Sequence, residues 1–141
     1  MVFLKHNLDY MVFGILGLMS FLMLWFVIER YIFYSRIKLS EYQHADQLNV
    51  SLTNHLTIIS TIGANAPYVG LLGTVVGIML TFYDMGQGGK VEVHTIMTGL
   101  SLALKATAAG LAVAIPSIMF YNGLLRKVDV LNAKWRELQE Q

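Results

Sequence analysis

The sequence predicts an all-α integral membrane protein with three transmembrane helices. Three observations carry this. Hydrophobic residues make up 55% of the chain and charged residues only 13%, where a soluble domain carries about a quarter. The charge-free residues fall into three long blocks. Those blocks are continuous rather than alternating, which argues against barrel strands. The 141 residues form one membrane domain, 1–141. A net charge of +1 gives no electrostatic case for nucleic acid. The absence of cysteine removes disulfides and thiolate metal sites. His6, His44, His55 and His94 are scattered, none at metal-ligand spacing, and read as ordinary loop or interface residues. No cofactor is expected.

The first block, Tyr10 to Ile28, is 19 residues without a charge, and about 20 apolar residues cross the hydrocarbon core. It is too long for the apolar core of a signal peptide, and "VIERYIFYSR" follows where a small-residue cleavage site would stand. The second block, Leu56 to Tyr83, has 28 residues; it must tilt or project beyond the lipid. The third, Val93 to Leu125, is interrupted only by Lys105. The expected spans are about 10–30, 60–84 and 94–125, with a polar connector at 31–58, helical or irregular, and a short outer loop at 85–93. The tail 126–141 continues an apolar stripe at 124, 128, 131, 135 and 138, which is helical spacing. The third helix is therefore expected to run on into the cytoplasm; the alternative is a surface helix lying on anionic lipid.

Positive charge sets the direction of insertion. Arg30, Arg36, Lys38, Arg126, Lys127, Lys134 and Arg136 fall on one side and make seven; Lys5 and Lys90 fall on the other and make two. The N-terminus is thus expected outside and the C-terminus in the cytoplasm. Arg30, Arg36, Lys38, Arg126 and Lys127 are candidates to bind anionic lipid; the simpler account is that they only fix topology.

Small residues line two helix faces. Gly70, Gly73 and Gly77 share a face in the second span, and Ala103, Ala106, Gly110, Ala114 and Ser117 form a stripe in the third. In lipid, helices associate through close backbone approach, which small residues permit. The faces pack either against each other within the chain or between copies; assembly between copies is favoured, because three helices alone cannot enclose a path. Pro67 and Pro116 are candidate kinks. Thr74, Thr81 and Thr107 are either hydroxyls bonded to their own i−4 carbonyls, the commoner fate, or the few polar groups of a pore.

"GANAPYVGLLGTVVGIMLTF" followed by "LALKATAAGLAVAIPSIMFYN" resembles the ExbB/TolQ/MotA proton-channel family, most closely its ExbB branch, over about 60 residues of the later spans and "IERYIFYSR" after the first. The resemblance implies a homo-oligomer, a pentamer in described cases, in the bacterial inner membrane. Its second and third helices would line a central pore around the single-span helices of an ExbD-like partner. That partner carries an essential aspartate facing threonines that match Thr74 and Thr107, and proton passage delivers energy to a TonB-like protein. Two departures stand out. The connector is much shorter than is usual in the family, and Leu102 occupies the place of a frequent glutamate.

The residues give the same partner requirement by another route. Proton-driven work needs a group that titrates within the membrane, and neither later span holds a carboxylate; Asp9, Glu29, Asp84 and Glu92 sit at span ends. A second polypeptide must bring the acid. Lys105, about 200° around the helix from Thr107, cannot share its face. It contacts a neighbouring copy's carbonyls, meets an acid or lipid headgroup, or supplies polarity to a pathway. The competing functions are a TonB-system channel subunit, a TolQ-like subunit of the Tol-Pal envelope system, and a non-conducting scaffold. Catalysis is unsupported, since no nucleophile–base set, phosphate loop or metal cluster is present. The charge count predicts that a reporter fused at Gln141 is active only if it folds in the cytoplasm; an extracytoplasmic signal would reverse the topology.

Overall fold

The computed structural model describes residues 2–88 and 92–141, with side chains from residue 7 onward. Lys90, counted above among the outer basic residues, lies outside the described residues, as does the side chain of Lys5. The elements are α1 (Val2–Arg36), a 3-10 turn (Leu39–Glu41), α2 (Ala45–Thr53), α3 (Leu56–Gly88) and α4 (Val93–Glu140). Helices α1, α3 and α4 are each long and apolar enough to cross a membrane. Helix is the natural choice there, because lipid offers no partner for an open backbone group.

The helices outrun the spans expected from the charges. Helix α4 has 48 residues; at about 1.5 Å per residue that is about 72 Å, against about 30 Å of hydrocarbon. Charged residues mark where lipid ends, not where hydrogen bonding ends. Helix α3 continues through Pro67 and α4 through Pro116.

Packing gives an up-down-up order. Helices α1 and α3 are antiparallel: Val12 lies against Gly73, and at the other end Phe26 stacks on His55 with ring centroids 4.6 Å apart. Helices α1 and α4 are parallel, with Val12 clustered on Ala106 and the Lys127 ammonium 4.7 Å from the Tyr31 ring centroid. The α3–α4 pair is antiparallel, Gly63 meeting Ser117 and Gly77 meeting Ala103.

A larger core fills the end of the bundle that carries the connector, built on Met23, Val27, Tyr34, Leu48, Leu52, Ile59, Leu124, Val128 and Trp135. The connector folds onto the α4 extension. Leu48 and Leu52 of α2 are fully buried, Trp135 Nε1 donates to the Tyr42 carbonyl at 2.9 Å, and Asn132 Nδ2 donates to Asn49 Oδ1 at 3.3 Å. The apolar stripe at 124, 128 and 135 is thus covered by protein. A surface helix on lipid would need that face free, so this alternative fails as far as Trp135; Leu138 beyond it is exposed. His55, at φ 70°, reverses the chain between α2 and α3, in the left-handed region that histidine tolerates better than most residues.

Arg30 corrects an expectation. It was a candidate for lipid headgroups, yet only 3% of it is exposed. Its Nε and Nη2 donate to the two oxygens of Glu29 at 2.5 Å each, and its Nη1 donates to the Ser51 carbonyl at 2.8 Å. The guanidinium lies 4.3 Å from the Phe33 ring centroid. The Tyr34 hydroxyl donates to the Leu52 carbonyl at 2.5 Å. Ser51 and Leu52 are in the last turn of α2, whose carbonyls lack intrahelical partners and favour a cation. Arg30 and Tyr34 therefore cap α2 from α1. Arg36, Lys38, Arg126 and Lys127 are exposed.

Removing this cap should loosen the connector first. Arg30→Met should cost about 1.5–3 kcal/mol, the worth of a charged hydrogen bond, and speed proteolysis within residues 39–54. Arg30→Lys should recover only part, because lysine lacks the planar fork.

Candidate functional site

The seam between α3 and α4 gathers most of the residues marked in the sequence. Gly70, Gly73, Ala103, Ala106, Gly110, Ala114 and Ser117 are buried along it, and Gly77 is half-buried. A Cβ on Gly110 would stand 2.6 Å from the Ala66 carbonyl oxygen and 3.1 Å from the Gly70 Cα. A Cβ on Gly70 would collide with the Ala106 carbonyl. The two small-residue stripes therefore face each other inside one chain. The expectation that they pair separate copies does not follow from them.

Gly99 belongs to the same stripe and was missed. A Cβ there would lie 2.5 Å from Thr81 Oγ1. The signal was present: Gly99, Ala103, Ala106 and Gly110 recur at helical spacing. Thr81 is 2% exposed and donates to its own i−4 carbonyl, Gly77, at 3.0 Å. It follows the commoner account of an intramembrane threonine.

Thr74 and Thr107 behave differently. Thr74 Oγ1 is 3.3 Å from its own i−4 carbonyl at Gly70 but 2.7 Å from the Ala103 carbonyl across the seam. It is also hydrogen-bonded to Thr107 Oγ1. A hydroxyl has one proton and two lone pairs. With Thr74 donating to Ala103, it is Thr107 that donates to Thr74, and the Thr107 oxygen keeps lone pairs for an outside donor. The opposite setting, in which Thr74 donates to Thr107 and Thr107 turns its proton outward, gives up the bond to the Ala103 carbonyl. It therefore needs an acceptor beyond Thr107 to offset that loss.

Thr107 is the open end of this pair. Thr74 is buried and Thr107 half-buried. Ala109, two residues on, packs in the cluster against α1; two residues are about 200° of helix, so Thr107 points away from α1. Leu104 and Leu111, one turn to either side, are exposed at 58% and 44%. The site is thus a single accessible hydroxyl in an apolar collar, backed by a second, buried one. Lys105 is exposed on the other side of α4 and takes no part in it.

Comparison with known proteins identifies the family. The model of the MotA/TolQ/ExbB proton channel family matches residues 30–137. "Biopolymer transport protein ExbB" of Helicobacter pylori J99 is 62% identical over 136 residues, covering 96% of this chain and 94% of that protein. The protein of the same name from Aquifex aeolicus is 50% identical over 135 residues, covering 96% and 91%. "Tol-Pal system protein TolQ" of Haemophilus influenzae is 38% identical over 81 residues, 57% of this chain but only 36% of its own length. The chain belongs to the MotA/TolQ/ExbB proton channel family. Its short connector is shared with the first two relatives, whose lengths it nearly fills.

The seam leaves no room for a methyl at its closest point. Gly110→Ala should overpack backbone against backbone and cost about 1–3 kcal/mol, read as a lower Tm of the purified protein. Gly86→Ala, where nothing lies within 4 Å of the added carbon, should leave Tm nearly unchanged.

Proposed function

We propose that the chain is the proton-channel subunit of an ExbB–ExbD–TonB type motor in the bacterial inner membrane, which turns proton motive force into mechanical work for outer-membrane transport. The observation that carries this reading is the Thr74–Thr107 pair: a hydroxyl relay open at one end, in spans that hold no carboxylate of their own. Such a pair answers either protonation state of an acid placed beside Thr107. A neutral carboxylic acid donates to the Thr107 oxygen. An ionised carboxylate accepts the Thr107 proton, with Thr74 turning from Ala103 to supply Thr107 from behind. The hydroxyls hold the acid through both states without titrating themselves. Each proton that crosses brings about 2.3 kcal/mol per 100 mV of membrane potential.

The acid comes from a single-span, ExbD-like partner. Several copies of this chain, five in the reading favoured here, surround it, with the Thr107 faces turned inward and the N-termini outside. The exposed apolar residues Leu104 and Leu111 beside Thr107 support an inward face that excludes bulk water. The ExbB relatives of Helicobacter pylori and Aquifex aeolicus match this chain over nearly their whole length at 62% and 50% identity, against 38% over part of the TolQ relative, which supports the TonB system over an envelope-constriction role.

Reconstitution with and without the small partner tests the reading. Proton flux should require the partner. Thr107→Val should keep the complex assembled yet lower flux about ten- to a hundredfold, the worth of one hydrogen bond to a charged group. Absence of flux with the partner present would leave only a scaffold, and co-purification with Tol-Pal rather than TonB-type proteins would move the subunit to the other system.

A further inference from the structure

Lys105 is a cation in the middle of an apolar helix, and the seam does not use it. Its surroundings on α4 are informative. Leu102, one turn before it, lines a cavity together with Leu8 and Asp9 of α1. Ala109, one turn after it, packs in the cluster of Val12 and Leu16, also on α1. Lys105 therefore lies on the α1 side of α4, between two residues that flank α1.

The cavity holds about 40 Å³ and is lined by Leu8, Asp9, Gly77, Thr81, Gly99, Leu102 and Ala103. That is room for a water or two. Asp9 brings the one carboxylate on its wall, at the outer end of α1, where apolar anchorage is sparse: the most N-terminal buried residue described in α1 is Val12. Among the described residues, neither Asp9 nor Lys105 has a hydrogen bond or ion pair. An intramembrane charge without a partner is costly, and such residues pair or face protein or water.

The other carboxylates are poorly placed for Lys105. Glu29 is held by Arg30. Glu92 lies 13 residues back along α4, about 20 Å away along the axis. Asp84 lies beyond Thr81 toward the outer end of α3, and Thr81 itself meets Gly99 rather than Lys105. Asp9 stands at the level of Leu102, about 4.5 Å along the axis from Lys105, within the swing of a flexible four-carbon stem.

We propose that Asp9 and Lys105 form an ion pair within one chain, clasping the outer end of α1 to α4 beside the Thr81 cavity. The pair answers two needs at once: it neutralises a cation in the span and a half-buried carboxylate, and it holds α1 where apolar contacts run out. The inference concerns how the subunit is built and stands whether or not the proton-motor reading holds.

The chain has no cysteine, so paired cysteines report the geometry directly. Asp9→Cys with Lys105→Cys, treated in native membranes with a short flexible bis-maleimide, should bridge within the monomer, while Asp9→Cys with Leu104→Cys should not. A bridge that links two chains, or no bridge although both thiols label singly, overturns the proposal. Coupling is then read from the Tm of the purified protein. Asp9→Asn and Lys105→Met should each lower Tm, the double variant should lower it no more than either single one, and Asp9→Lys with Lys105→Asp should regain most of the loss. Additive losses, or a charge exchange worse than both singles, overturn it equally.

Discussion

The close contact of two backbones at Gly70 and Gly110 is the constraint from which the rest of the molecule follows. Lipid gives helices no hydrophobic reason to associate, so the gain comes from atoms in van der Waals contact. That gain is largest where side chains are absent. It is also specific in register: Gly99 sits under Thr81, Gly110 against the Ala66 carbonyl, Gly63 beside Ser117. Sliding α4 by one turn would drive a methyl or a larger group into backbone at several of these places together. The register that the glycines enforce is the one that brings Thr74 to the Ala103 carbonyl and to Thr107. The hydroxyl pair is thus a product of the seam rather than an addition to it.

The same contact separates what is fixed from what is available. Thr81 is sealed under Gly99 and spends its proton on its own helix. Thr74 is buried but shares its bonds across the seam. Thr107 is half-open, in a collar of exposed leucines. Three threonines of similar appearance therefore have three different chemical freedoms, graded by burial. Only the last is open to a group outside the chain, and it is hydrogen-bonded to Thr74.

Much of this was legible in the sequence. Uncharged blocks gave the three membrane helices, and periodic small residues gave the faces that pack. The pairing of those faces within one chain was not legible, because spacing along a helix says which residues share a face and nothing about whose face they meet. The Thr74–Thr107 bond was hidden for the same reason: it depends on the relative slide of two antiparallel helices 33 positions apart in sequence. Arg30 was misread because counting basic residues near span ends treats each as solvated. Glu29 beside it was the available hint, and α2, whose carbonyls it caps, offered no visible signal. Asp9 reads as a span-end acid by charge, and the sequence offered no sign that helix α1 begins two turns before it.

The short connector is part of what holds α4. That helix is braced at two distant places. Toward its N-terminal end the brace is the glycine seam, rigid because its atoms have nowhere to go. Toward its C-terminal end it is the folded connector, joined by Trp135 to Tyr42 and by Arg30 and Tyr34 to the end of α2. Between them α4 runs as one helix through Pro116. The nine residues of α2 pack on the α4 extension, and Arg30 and Tyr34 of α1 cap carbonyls at the end of α2 that would otherwise stand open. Helix α1 touches both braces: Val12 lies against Gly73 beside the seam, and Arg30 and Tyr34 hold the end of α2.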